Sequence, residues 1–177
     1  MRAFPPSAHD HTIVVIQSPE SRAVTVGFIA KKNGKLSFIP GRLHFGAARM
    51  QDTYAATVQS LAQAPIKRIL KRYKPENIST ITVLRETLSC NLPLALGDVG
   101  IIRHYGDAYI GASHIKDNGP IRTAYLYENT EGLTKNGLWI IADSICMGRN
   151  LIATLDSLLK KFTPREILFV CPIASRI

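Results

Sequence analysis

The sequence predicts an α/β protein whose core is a mostly parallel sheet with flanking helices, preceded by an antiparallel β meander. From residue 79 onward, short apolar runs typical of strands alternate with stretches of helical periodicity, which is the pattern of a parallel sheet. The clearest case is the run Leu138–Ile141, because a helix over 149–161 and a strand over 166–171 follow it and complete one βαβ unit. Near the N-terminus, the hairpin signal Asn33-Gly34 separates two β-rich runs.

The other elements are placed by the same periodicities. Strands over 12–17, 23–30 and 36–39 form the meander, and later strands are expected at 79–84, 99–102, 108–111 and 123–127. Helices are expected from 47 to about 63, where Pro65 ends the pattern, and then over 66–73 and over 88–96, the last interrupted at Pro93.

Composition limits the class of protein. With 177 residues and 46% hydrophobic content, the chain is expected to form a single domain, in which 1–45 is an arm and meander and 76–177 is the core. No apolar run approaches the ~20 residues that span a bilayer, so no membrane contact is expected. Three scattered cysteines without C-x-x-C spacing argue against a disulfide framework, and we expect a cytoplasmic location.

The segment between the strand at 138–142 and the following helix carries the main chemical signal. Asp143 and Gly148 lie in a loop that leads into a helix N-terminus, where free backbone N–H groups and the helix dipole favour anions. This loop resembles the phosphoribosyl-diphosphate (PRPP) loop of phosphoribosyltransferases. Ala142 replaces the first acid of that motif, while Met147 and Asn150 replace its hydroxyl residues. An ordinary strand-to-helix turn is the alternative interpretation.

The resemblance extends upstream and is closest to uracil phosphoribosyltransferases. Arg85 follows a strand as the family's pyrophosphate-contacting arginine does, and Ile110-Gly111 precedes His114 at another basic position of the family. Tyr125 and Tyr127 stand where the family has paired tyrosines, and the order of these features agrees from about 80 to 175.

The resemblance implies a type I-like phosphoribosyltransferase core that binds PRPP or a nucleotide 5′-phosphate and transfers phosphoribose to a uracil-like nucleobase. Asp143 and Arg85 would be the catalytic residues. The residues implied in PRPP binding are Arg85, His114, Lys116, Asp143, Ser144, Met147, Gly148, Arg149 and Asn150. Mg²⁺ would arrive bound to the substrate, with no metal ligand from protein side chains, and a homodimer is implied.

The formal net charge of +9 favours an anionic partner. Lys67, Arg68, Lys71 and Arg72 lie on one amphipathic helix, which suggests a nucleic-acid contact, although a solvated helix face would show the same pattern. The alternative function is therefore a non-catalytic regulator that has the phosphoribosyltransferase fold, senses PRPP or a nucleotide, and binds nucleic acid through this helix.

Overall fold

Strands and helices alternate along the part of the chain that the structure, a computed structural model, describes: residues 27–32, 35–40, 46–84, 86–115, 122–143 and 149–171. The strands are β1 (Gly27–Lys32), β2 (Lys35–Pro40), β3 (Ile78–Leu84), β4 (Gly106–Ile115), β5 (Arg122–Asn129), β6 (Leu138–Ala142) and β7 (Glu166–Val170). The α-helices are α1 (Gly46–Leu61), α2 (Ala64–Leu70), α3 (Leu92–Asp98) and α4 (Arg149–Leu158), and two short 3-10 helices cover Pro75–Asn77 and Glu86–Cys90.

Five of the strands form one sheet in the order β5-β4-β3-β6-β7. β3 pairs in parallel with β4 and β6, β6 pairs in parallel with β7, and only β5 is antiparallel to its neighbour. The predicted α/β class with a mostly parallel sheet is confirmed, and β6, α4 and β7 form the predicted βαβ unit.

The central strands are buried because helices cover both faces of the sheet. All five residues of β6 are buried, and alternate ones face opposite sides. Ile140 packs in a cluster with Leu61, Leu70 and Leu96 from α1, α2 and α3. Trp139 and Ile141 pack in a second cluster, with the α4 residues Leu151 and Leu158. The carboxyl end of β6 is therefore held rigidly between two layers.

Two predicted boundaries around α2 need correction. The predicted break at Pro65 is present, because α1 ends at Leu61, but α2 already begins at Ala64. Proline is tolerated in the first turn of a helix, where its missing N–H has no intrahelical partner. At the other end, the Arg72 and Tyr73 N–H groups donate to carbonyls three residues back, and these tighter bonds end the α-helix before Tyr73.

The helix predicted at 88–96 is found in part, with its interruption at Asn91 instead of Pro93, and the strand predicted at 99–102 is wrong. A 3-10 helix precedes α3, which begins at Leu92 with Pro93 in its first turn. The following residues close α3 instead of forming a strand: Gly100 has φ +95°, and the Ile101 N–H donates to the Leu96 carbonyl at 2.9 Å. A left-handed glycine with such a bond is a common helix C-terminal cap.

The N-terminal meander is found in part. β1 and β2 pair antiparallel in a two-stranded sheet, from Gly27 opposite Pro40 to Lys32 opposite Lys35. This register agrees with the Asn33-Gly34 hairpin signal. The predicted strand at 12–17 lies outside the described residues.

Candidate functional site

The predicted acid, Asp143, lies at the carboxyl edge of the parallel sheet. It directly follows β6, and only 8% of its surface is exposed. Its backbone N–H points to the Val170 carbonyl at the end of β7, at 3.4 Å. Ligands of parallel α/β sheets bind at this edge, so Asp143 stands where a substrate could reach a carboxylate fixed by the core.

Two thiols lie close to Asp143, and sequence reasoning did not assign them to the site. Burial raises the pKa of Cys90 to about 11, a hydrogen bond with Thr57 opposes the increase, and the Asp143 carboxylate adds to it. Burial and the same carboxylate also raise the pKa of Cys171 to about 11. Both thiols are therefore neutral at pH 7 and cannot neutralise a second negative charge or act as ready nucleophiles.

This grouping depends on tertiary contacts. Cys171 comes directly after β7, so its place beside Asp143 follows from strand order, but Cys90 lies in the 3-10 helix after β3. Thr57 reaches it from α1, and the Thr57 hydroxyl also donates to the Thr53 carbonyl at 2.8 Å. The spacing of two threonines four residues apart was the available sequence signal, since it puts both on one helix face.

The N-terminus of α4 forms the next part of this edge. Arg149 is the first residue of the helix and Asn150 the second. Among the described residues, no hydrogen-bond partner is found for the buried Asn150 Oδ1 atom or for Thr154 Oγ1 one turn later. Buried polar atoms without a partner are uncommon, so the first turns of α4 are a place where a ligand could form hydrogen bonds.

A two-stranded ribbon, formed by β4 and β5, extends beyond the carboxyl edge of the parallel sheet. β4 pairs with β3 only up to Gly111, which lies opposite Leu84 at the end of β3. Its next four residues pair with β5 alone, after a register irregularity between Gly111 and Ala112. His114 belongs to this ribbon, opposite Thr123, so the backbone brings this predicted position past the end of the neighbouring strand.

Several predicted site residues cannot be placed. Arg85, Lys116, Ser144, Met147 and Gly148 lie outside the described residues. The structure thus brings Asp143, Asn150 and the backbone of Arg149 to one edge of the sheet, with the His114 ribbon beyond it.

The predicted nucleic-acid residues lie elsewhere. Lys67, Arg68, Lys71 and Arg72 are all exposed, on α2 and the turn after it. The Arg72 guanidinium forms an ion pair with Glu166 at 2.7 Å, beside the amino end of β7. This helix therefore does not contribute to the carboxyl edge.

Neither a protein metal centre nor a membrane-spanning helix is found among the described residues. In these ranges, no group of three or more His, Cys, Asp or Glu side chains could hold a metal ion. None of the described helices is both long and apolar enough to cross a membrane.

The fold is similar to that of known phosphoribosyltransferases, although the sequence matches no family model and no curated protein. The purine phosphoribosyltransferase of Pyrococcus horikoshii Ot3 is 19% identical, over 76% of this chain and 81% of that one, with a TM-score of 0.51. The L. donovani hypoxanthine-guanine enzyme is 15% identical over 69% and 67% of the two chains, with a TM-score of 0.52. The adenine enzyme of Saccharomyces cerevisiae is 13% identical over 86% and 88%, with a TM-score of 0.51. At these identities the likeness concerns the fold, and the chain has the phosphoribosyltransferase type I fold.

Proposed function

We propose that this protein binds PRPP at the carboxyl edge of its sheet and transfers phosphoribose to a nucleobase. The observation that carries the proposal is the buried carboxylate of Asp143, held between β6 and the N-terminus of α4 in a fold of the phosphoribosyltransferase type. A carboxylate in this position can accept hydrogen bonds from ribose hydroxyls, and the helix N-terminus favours the 5′-phosphate.

In the proposed reaction, the bond from the ribose anomeric carbon to pyrophosphate breaks and a bond from that carbon to a base nitrogen forms. The N–H proton of the base passes to the leaving pyrophosphate, whose negative charge Mg²⁺ bound to the substrate would offset. Such a step requires little covalent work from side chains, so positioning and charge neutralisation dominate. Asp143 holds the ribose, while Arg85, His114 and Lys116 are proposed to contact the pyrophosphate, and Ser144, Met147, Gly148, Arg149 and Asn150 the 5′-phosphate.

The finer proposal is a uracil-like base, and it rests on the sequence resemblance around Arg85 and Ile110-Gly111. The structural neighbours named above are purine enzymes, but a likeness of fold does not select a base. Adenine, hypoxanthine and guanine therefore belong in the same assay as uracil. The homodimer and the cytoplasmic location stay predictions of the sequence.

The test is calorimetric titration with PRPP and Mg²⁺, comparing the wild type with Asp143→Asn. Loss of the charged acceptor should weaken PRPP binding about tenfold or more, since a hydrogen bond to a charged group contributes about 1.5–3 kcal/mol. The matched control is Asp156→Asn, because Asp156 is an exposed acid on α4. Gly148→Val should also weaken binding. Equal affinities of wild type and Asp143→Asn would remove Asp143 from the site.

The alternative function, a non-catalytic regulator, is favoured by one feature of the site. Ala142, where the motif has its first acid, is completely buried in the apolar cluster beneath α1–α3, so the ribose has one acid fewer. Adding each base to the PRPP-bound protein and measuring pyrophosphate separates the two functions. Release of pyrophosphate establishes a transferase, whereas PRPP binding without release favours the regulator.

A further inference from the structure

Cationic side chains from three separate segments meet at the amino edge of the sheet, opposite the edge that carries Asp143. One segment is α2 with the turn that follows it, and the others precede β6 and β7. We call this group the amino-edge cationic surface; its members are Lys67, Arg68, Lys71, Arg72, Lys74, Lys135 and Arg165, all of them exposed.

Hydrogen bonds around Glu166 and Gly137 fix the three segments together. The Arg72 guanidinium donates to both carboxylate oxygens of Glu166, at 2.7 and 2.8 Å, and the Tyr73 hydroxyl donates to Glu166 Oε2 at 2.9 Å. The Arg165 N–H donates to the Gly137 carbonyl at 2.9 Å. Arg165 is also close enough to Tyr73 to act against the rise in pKa that burial and Glu166 cause in that hydroxyl. These hydrogen bonds hold the three segments in fixed positions relative to one another, so they are not independent loops.

Most of the positive charge on this surface is not neutralised internally. Arg72 is paired with Glu166, whereas the other six cations form no ion pair within the described ranges. The same three segments contain the acids Glu76, Glu131 and Glu166, so the seven cations leave a formal excess of four positive charges.

The chemistry of the surface fits phosphates and not a lipid bilayer. Ile66 and Leu70, the apolar residues of α2, are buried in the core, so they are not available to insert into a membrane. None of the large hydrophobic side chains exposed in the described ranges belongs to α2 or the turn after it; Leu159, before β7, and Ile102 and Tyr105, before β4, are exposed singly. Closely spaced Lys and Arg without apolar anchors are typical of surfaces that follow a sugar-phosphate backbone.

We propose that the amino-edge cationic surface binds the phosphate backbone of a polynucleotide, at a site separate from the carboxyl edge where Asp143 lies. Recognition is electrostatic and largely independent of base sequence. It does not depend on the proposed transferase activity, because no residue of the carboxyl edge takes part.

The first experiment measures fluorescence anisotropy of labelled 20-nucleotide single-stranded RNA and 20-base-pair DNA duplexes at 50 and 200 mM KCl. Affinity should fall steeply with salt, since each neutralised phosphate contributes about 0.7 to 0.9 to the logarithmic slope. The double variant Lys67→Gln/Lys71→Gln should bind about tenfold more weakly at 50 mM KCl, with a slope reduced by about 1.4 to 1.8.

The control variant removes the same charge elsewhere. Lys32→Gln/Lys35→Gln alters two cations of the β1–β2 hairpin, which forms a separate two-stranded sheet. Its affinity should stay within about twofold of the wild type if the amino-edge surface, and not the net charge, binds the nucleic acid. An equal loss in both double variants would overturn the proposal.

Three further probes test whether the surface binds a partner other than a polynucleotide, or whether the polynucleotide binds at a different site. Preference for phosphatidylglycerol vesicles would indicate a membrane surface, and preference for polyglutamate would indicate an acidic protein partner. Competition by 1 mM PRPP with Mg²⁺ would place the polynucleotide at the carboxyl edge. Each of these results, or no binding to either nucleic acid at 50 mM KCl, would overturn the proposal.

Discussion

Replacing Gly137 by alanine tests how closely the strands that carry the site are joined at their amino ends. Gly137 immediately precedes β6, and its carbonyl accepts the Arg165 N–H at 2.9 Å. A Cβ atom added here would lie 2.2 Å from the Asn77 carbonyl oxygen, just before β3, and 2.4 Å from Thr134 Oγ1. The nearest obstacle is therefore backbone, which cannot swing away as a long side chain would.

The geometry sets the size of the effect. The Cβ and the Asn77 oxygen must move from 2.2 Å to at least 3.4 Å apart to reach ordinary contact, and this moves β3 and β6 apart where both are buried. Overpacking of a core typically costs about 1–3 kcal/mol, and a clash with fixed backbone belongs at the upper end. We expect a loss of about 3 kcal/mol in unfolding free energy, and a Tm lower by about 6–12 °C for a chain of this size.

The assay is thermal unfolding followed by circular dichroism, with Gly97→Ala as the matched control. A Cβ at Gly97, which lies within α3, would meet no atom within 4 Å. Alanine in a helix is favoured over glycine by about 0.5–1 kcal/mol, so this variant should melt slightly above the wild type. A Gly137→Ala protein that melts within about 2 °C of the wild type would refute the packing argument.

Three other predictions concern charge and burial. Because burial raises the pKa of Cys90 to about 11 from 9.0, its contribution to stability is complete below pH 9 and is lost as pH rises towards 11. In urea unfolding, the free energy of unfolding of Cys90→Ala should therefore decline less steeply above pH 9 than that of the wild type, by up to about 1.4 kcal/mol per pH unit. Equal slopes for the two proteins would contradict this. A double-mutant cycle on Arg72 and Glu166 should give a coupling of only about 0.5–1 kcal/mol, because the Arg72 side chain is 59% exposed, and a value above about 2 kcal/mol would contradict it. Asp107→Ala should cost about 1–3 kcal/mol by urea unfolding, because Asp107 Oδ1 accepts the Thr80 hydroxyl at 2.5 Å and lies 2.7 Å from His104 Nε2; additive effects with Thr80→Val would show that the Thr80 bond contributes nothing.

Hydrophobic periodicity predicted the strand β6, which is buried along its whole length. It failed at residues 99–102, where a helix cap determines the backbone conformation. The run from Leu138 to Ile141 is apolar because both faces of β6 are covered, so its strand and the acid after it could be read directly. The residues 99–102 are equally apolar, yet Gly100 turns the backbone into the left-handed region and closes α3. Hydrophobicity alone does not distinguish these cases, since the difference lies in a single backbone dihedral.

The candidate site shows the same division between local and tertiary information. Asp143 follows from the rule that ligands approach the carboxyl ends of parallel strands. Its neighbour Cys90 lies 53 positions earlier in the sequence and reaches the same place only because β3 pairs with β6 and α1 packs over the 3-10 helix that contains it. Strand order places Cys171 beside the acid, but only the tertiary structure brings Cys90 there, and the spacing of Thr53 and Thr57 indicates no more than a shared helix face; the Cys90 thiol could not have been predicted.

The two thiols beside Asp143 carry no positive charge, so a polyanion bound at the carboxyl edge needs cations from other residues or from the substrate. Asp143 is negative, while Cys90 and Cys171 are neutral at pH 7 and hydrogen-bond only weakly, so none of the three can offset the charge of a pyrophosphate. If PRPP binds here as we propose, Mg²⁺ on the substrate, Arg85 and His114 would have to offset that charge. The structure supplies the ribbon as a fixed extension of β4 and β5 past the end of β3. PRPP binding at this edge would therefore depend on cations that lie beyond the ends of the strands. Asp143 would contact the ribose and not the phosphates.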